Sequence, residues 1–231
     1  MVAMFDNTEE IEQFLKDRAE ALAMSVNPCG LDELTEDWAC SAQRTHSAKG
    51  YFDIKGINVT RAVGREITDW KQPMIMDNGG VIVLIQKMDS PVYGEPLILV
   101  RANAEPGNKG YPLANGANSR VLLSPPIQFS MAKLRNHPEK VPLSWLITDE
   151  IGELLITTEP APEDGGRFYE KVNRYGLLTK ERVESRIFDT EVDKLGAASI
   201  DFVWITRRAL RDACRKGWVS GHLRSAMSLL V

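Results

Sequence analysis

Hydrophobic and polar positions repeat with two different periods along this chain, and the changes of period mark its elements. Between residues 8 and 23, Ile11, Phe14, Leu15, Ala19 and Leu22 recur at helical spacing, which predicts an amphipathic helix. Asn7 followed by Glu10 is a variant of the capping box, and Asn27, Pro28 and Gly30 break the helix. A helix with one apolar face serves most simply as a structural arm or a dimer contact. From residue 50 the period shortens. GYFDIKGINVT alternates like a strand entering a hairpin. GGVIVLIQKM and PLILVRANA are short apolar runs joined by a Pro/Gly-containing loop, which predicts an antiparallel pair with a buried middle. Glu105 to Pro126 has little periodicity, and a loop of that length is functional or disordered. Ser144 to Thr157 reads as two further short strands. ITRRALRDACRKG reads as a helix capped by Thr206 and stopped at Gly217, and HLRSAMSLL as a last helix. Strands with helices at both ends, and no βαβ alternation, make an α+β chain with a mixed or antiparallel sheet. The expected organisation is an N-terminal helical arm over residues 1–48 and one domain over residues 49–231.

Composition narrows the function classes. The 231 residues carry 28 Lys+Arg against 32 Asp+Glu, a formal charge of −4, with 43% apolar and 26% charged residues. Those values suit a folded globular chain rather than a disordered one. A net-acidic chain without a basic stripe is not expected to bind nucleic acid. No apolar run approaches the roughly 18 residues of a membrane span, so no membrane partner is expected. The N-terminus lacks a secretory pattern, and Cys29, Cys40 and Cys214 form neither a metal spacing nor an even framework. A reducing cytoplasm is the expected location.

No phosphate-binding P-loop, nucleophile elbow or zinc-protease pair is present, and His46, His137 and His222 are too scattered for a metal site. Three segments carry the candidate chemistry. In AEPGNKG, Pro106 and Gly107 set a tight turn that can aim the Glu105 carboxylate and the Asn108 amide into a cleft. The plainer alternative is a solvated strand-end charge beside a turn residue. GREITDWKQP brings Arg65, Trp70 and Gln72 close in sequence: a guanidinium for an anion, an indole for stacking, an amide for a hydroxyl. A half-buried Trp with a surface Arg would look the same. GGRFYEKVNRYG offers Arg167, Lys171, Asn173 and Arg174, a local basic cluster suited to a pyrophosphate. If this segment is helical, its three cations share a face. A solvated charged face is the alternative.

Taken in order, these segments resemble the NDP-hexose 2,3-dehydratases of deoxysugar biosynthesis, from about Gly50 to the C-terminus. GYFDIKGINV with GREITDWKQP resembles the opening strands of that family, and ANAEPGN its Glu-Pro-Gly-Asn turn. LLSPPIQFS keeps Ser124, Pro125 and Gln128 of a family segment. GGRFYEKVNR, FVWITRRAL and LRSAMSLL resemble its later motifs. The chain departs from the pattern at Pro126, at Phe129-Ser130, in MAKLRNHPEK, in the inserted PAPED, and at Ser220-Gly221-His222, where the family has Asn-Met-Asp.

The resemblance implies a Nudix-like α+β fold, present here as one copy of a module usually duplicated in tandem. The missing half is then expected from a second subunit, as a homodimer. It implies a lyase that eliminates water beside the keto group of a dTDP-4-keto-6-deoxyhexose by general acid–base catalysis. No metal or redox cofactor is needed by that electron flow. Glu105 is the first candidate acid or base, and His222 the second, since imidazole titrates near neutrality. Arg65, Arg167, Lys171 and Arg174 would hold the diphosphate. Trp70 would stack on base or sugar, and Gln72, Asn108, Gln128 and Asn173 would complete substrate binding. The departures leave two alternatives open: a same-fold tailoring enzyme acting on a non-sugar carbonyl, and a non-catalytic binding module.

Overall fold

A computed structural model describes residues 2–34, 38–41, 44–47, 50–60, 69–88, 94–143, 146, 156–157, 160–182 and 194–230. The strands and α-helices in chain order are β1 (Ala3–Phe5), α1 (Thr8–Ala21), β2 (Trp38–Cys40), β3 (Arg44–Ser47), β4 (Asp53–Thr60), β5 (Asp69–Met76), β6 (Gly80–Lys87), β7 (Leu97–Ala104), β8 (Val121–Ser124), β9 (Ile127–Ser130), α2 (Met131–Asn136), β10 (Ile156–Thr157), β11 (Ala161–Pro162), β12 (Val172–Thr179), β13 (Phe202–Thr206), α3 (Arg207–Arg215) and α4 (Gly221–Ala226). The architecture is α+β, as the patterning predicts.

The main sheet runs β1-β13-β7-β6-β12-β10, and it is mixed: β1 lies parallel to β13 and β12 parallel to β6, while β6 and β7 are antiparallel. A second, antiparallel sheet runs β2-β3-β4-β5. The central strands read as near-continuous apolar runs because both faces of the main sheet are covered. On one face Ile82, Leu84, Ile98, Val100 and Val203 pack with α1, α3 and α4. On the other, Val83, Ile85, Leu97, Leu99 and Trp204 pack with Ile127, Phe129 and Leu143. In β4 every described residue keeps some exposure, so alternation survives there.

Residues 3–21, expected within a helical arm, instead supply β1 to the main sheet and α1 to its core. Ile11, Leu15 and Ala19 are fully buried. The reason is a continuous apolar stripe that finds a sheet face next to it. Asn7 caps α1 by accepting the Glu10 amide at 2.9 Å, and the Glu10 carboxylate accepts from the Asp6 backbone amide and the Asn7 side-chain amide. β3 pairs with β4, so the hairpin crosses the boundary expected at residue 48.

Two features of the sheet were not legible in the pattern. The pair β6–β7 splays: Ile85 pairs Leu99, but Val83 pairs Ile127 of β9 and Ala102 pairs Leu123 of β8. Pro125 and Pro126 join β8 to β9. Without amide protons they cannot continue a ladder, so the chain leaves β7 at this point and crosses to β6. The segment from Arg167 is the second. It is a turn followed by β12, not a helix, so Arg167, Lys171 and Arg174 do not share a helical face. Ser144–Glu150, within the two expected short strands, lies largely outside the described residues; Ile156 and Thr157 form β10.

Candidate functional site

Three polar residues interrupt one face of β7 and its extension. Strand alternation sends Leu97 and Leu99 into the core and then places Arg101 and Asn103 on the same face, with Glu105 one step beyond the strand end. Glu105 is half-buried. Its Oε1 accepts from Asn103 Nδ2 at 3.0 Å and from Gln128 Nε2 at 3.2 Å. Among the described residues, no partner is recorded for its Oε2.

The turn that follows is held at its neck. The Asn108 amide donates to the Glu105 carbonyl at 3.0 Å, and the Glu105 amide to the Arg120 carbonyl at 3.2 Å. The Arg120 guanidinium donates to the Asn108 carbonyl at 2.8 Å, although Arg120 has φ 67°. A non-glycine residue in that region is strained, by about 1–3 kcal/mol. Gly110 has φ +73°, and a Cβ there would stand 2.5 Å from the Arg120 and Val121 amide nitrogens. Only glycine lets the loop come back this close to the start of β8.

Unsatisfied polar atoms gather at this place. Arg101 Nε, Asn108 Nδ2, Ser124 Oγ and Gln128 Oε1 are buried with no hydrogen-bond partner among the described residues. Ser124 is the register partner of Arg101, and Gln128 already holds Glu105. Orphaned buried polar atoms are rare in folded proteins, and a group of them asks for a polar ligand. Lys133 of α2 adds a cation. Burial pulls its ammonium below the ordinary lysine range, Arg101 and Lys140 push the same way, and Glu105 opposes them. Burial likewise lowers the Arg101 guanidinium, against the attraction of Glu105 and Asp201. Arginine keeps its charge regardless.

A cleft of about 710 Å3 opens beside this cluster, lined by Arg101, Asn103, Lys140, Lys194, Asp201 and apolar residues that include Leu143. That volume falls in the range of small-molecule sites. The bond from Asn103 to Glu105 therefore ties the carboxylate to the cleft's wall.

Of the residues singled out from sequence, the structure joins Glu105, Asn108 and Gln128. A different group forms where the second sheet meets the 163–173 segment. Trp70 Nε1 donates to Gln72 Oε1 at 2.8 Å, and Gln72 Nε2 to the Gly166 carbonyl at 3.1 Å. Lys171 pairs with Asp77 at 2.9 Å and lies over the Phe168 ring. Asn173 is buried, accepting from the Gly80 amide and donating to Glu163. Arg167 is exposed and bonds Asp164 at 2.7 Å, which holds the Asp164 carboxyl below its ordinary range. Arg174 is exposed on β12. Arg65 lies outside the described residues. His222 is half-buried on α4, and the chain entering α4 bridges β8 through Val219 on the edge away from β7. No hydrogen bond or ion pair links it to Glu105 among the described residues.

Arg101, Asn103 and Lys133 escaped the sequence reading. The signal for the first two was present: polar residues at every second position, 101, 103 and 105, closing an apolar strand. Lys133 gave none, since its short helix has no long-range pattern.

The molecule is thus an α+β protein with a half-buried carboxylate bonded to Asn103, a residue that lines a cleft bearing Arg101, Lys140 and Lys194. It belongs to the NDP-hexose 2,3-dehydratase family, whose model matches residues 8–230. It is 33% identical over 174 residues to a dTDP-4-dehydro-6-deoxy-alpha-D-glucopyranose 2,3-dehydratase of Streptomyces violaceoruber, a match covering 74% of this chain and 34% of that one. A protein of the same description from Saccharopolyspora spinosa is 27% identical over 181 residues, covering 74% and 31%. The chain spans about a third of the length of these curated relatives.

Proposed function

We propose that this chain carries the water-eliminating site of a nucleotide-sugar 2,3-dehydratase, with a dTDP-4-keto-6-deoxyhexose as substrate and Glu105 as its base. The observation that carries the reading is the Glu105 carboxylate, oriented through one oxygen by Asn103 and Gln128 and with no partner recorded at the other among the described residues. The C4 carbonyl acidifies the C3–H bond. Glu105 Oε2 takes that proton, the electron pair forms an enolate toward the C4 oxygen, and collapse of the enolate expels the C2 hydroxyl as water. The Lys133 ammonium offsets the charge that develops on the C4 oxygen. A half-buried cation is worth more there than in water. Glu105, once protonated, is itself a donor for the leaving hydroxyl, and His222 is the second candidate.

Asn108 and Gln128 would bind substrate hydroxyls; each keeps a buried polar atom without a partner among the described residues. Trp70, Gln72, Asn173, Arg174 and Arg65 remain candidates for the rest of the substrate, as the family pattern implies. Lys171 and Arg167 are each engaged with an aspartate. No step needs a metal or redox cofactor. The reading also pairs two copies of the module as a homodimer, and sedimentation at a single-chain mass would exclude that pairing.

The experiment is incubation of the protein with dTDP-4-keto-6-deoxyglucose in D2O, followed by mass spectrometry. The expected outcome is a product that has lost one water and carries solvent deuterium at C2, where the enol left by elimination ketonises. Unchanged substrate, alongside turnover or thermal stabilisation with a CoA thioester, would instead support action on a non-sugar carbonyl.

A further inference from the structure

We infer that the cleft between Arg101 and Lys140 is a polyanion subsite, and that it takes the diphosphate of the substrate. This rests on the reading of Glu105 as the reacting carboxylate, because Arg101 lines the cleft and is attracted by both Glu105 and Asp201.

The chain is net acidic, at −4, yet among the described residues the cleft is lined by Arg101, Lys140 and Lys194 against one carboxylate, Asp201, with Lys194 also engaged by a partner of its own. That carboxylate is already shared: Arg18 holds Asp201 Oδ1 at 3.3 Å. Arg101 is the most committed of the three. It sits on a core strand, opposite Phe202 in register, and its buried Nε has no partner among the described residues. A guanidinium presents its donors as a planar fork that suits phosphate oxygens. Mutual repulsion among Arg101, Lys133 and Lys140 is a cost to the folded chain that a bound anion would relieve. A single carboxylate would satisfy one cation. A diphosphate spreads two to three charges over several oxygens and so can answer more than one of the cations. The 165–174 segment offers less, because Lys171 and Arg167 are each paired with an aspartate.

The test is calorimetric titration of the whole chain with inorganic pyrophosphate and, separately, with dTDP. Both probes should bind, more weakly as salt rises. Arg101→Lys should lose about tenfold or more in affinity, since one charge-assisted hydrogen bond is worth about 1.5–3 kcal/mol. Lys140→Ala, at an exposed position that does not threaten folding, should lose several-fold. Arg215→Ala, which removes a distant exposed cation, should lose nothing. Absence of pyrophosphate binding overturns the assignment, as does binding that both cleft variants leave intact, or that only Arg174→Ala abolishes. These titrations need no turnover. A protein that binds pyrophosphate in the cleft but eliminates no water would refute the dehydratase reading and leave this subsite standing.

Discussion

Replacing Glu105 by glutamine tests the centre of the proposed chemistry. The substitution keeps the size of the side chain and the oxygen that accepts from Asn103 and Gln128. It removes the charge and, at Oε2, the base. General-base help of this kind is worth about 10²–10⁴-fold. At about 1.4 kcal/mol per decade, the barrier should rise by about 3–5 kcal/mol. The structural cost is separable. Two hydrogen bonds to a carboxylate become bonds to a neutral amide, a loss of about 1–3 kcal/mol in total. In a chain of this size that lowers the melting temperature by about 2–12 °C. The assay is single-turnover elimination, read by mass spectrometry well below the variant's melting temperature, with solvent deuterium uptake at C3 as the second readout. The expected outcome is a fall in kcat with little change in KM, and loss of C3 exchange. Full turnover by a folded Glu105→Gln protein would refute the reasoning, because the remaining amide cannot take a proton from carbon.

Other outcomes follow from the same structure. Lys133→Met should raise thermal stability at neutral pH while lowering kcat, since the variant loses a repelled cation that the enolate needs. The folded lysine titrates below its unfolded value, so its destabilising effect is complete below the folded pKa. It fades as pH rises toward the unfolded value near 10.4. A pH series of melting temperatures should therefore show wild type and variant converging in alkali; a constant gap would sink the argument. Leu15→Ala empties a fully buried site under the main sheet and should cost about 2–5 kcal/mol by denaturant unfolding. A negligible cost would show that α1 is peripheral. Gly110→Ala meets backbone 2.5 Å away and should disrupt the Glu105 turn, cutting activity more than stability; wild-type kinetics would contradict the close approach.

Helices and central strands were readable in the sequence because their causes are local. Asn7 and Thr206 cap α1 and α3 through their own side chains, and an apolar stripe or run forms its period before any partner is known. The antiparallel pairing of β6 with β7 followed from two such runs. Glu105 stood out because a Pro-Gly turn at a strand end shows in the residues alone. What that carboxylate meets is decided elsewhere. Asn103 is near in sequence, but Gln128 arrives only because Pro125 and Pro126 break the ladder and send β9 across to β6. The 165–176 cations looked like a cluster by spacing. A strand beside β6 and the carboxylates of Asp77 and Asp164 separated them. Sequence therefore determined the elements and singled out the candidate carboxylate, since the physics of both acts over a few residues. The tertiary structure decided which charges share a cleft, because Coulomb attraction and burial depend on distances that only the packed sheet sets.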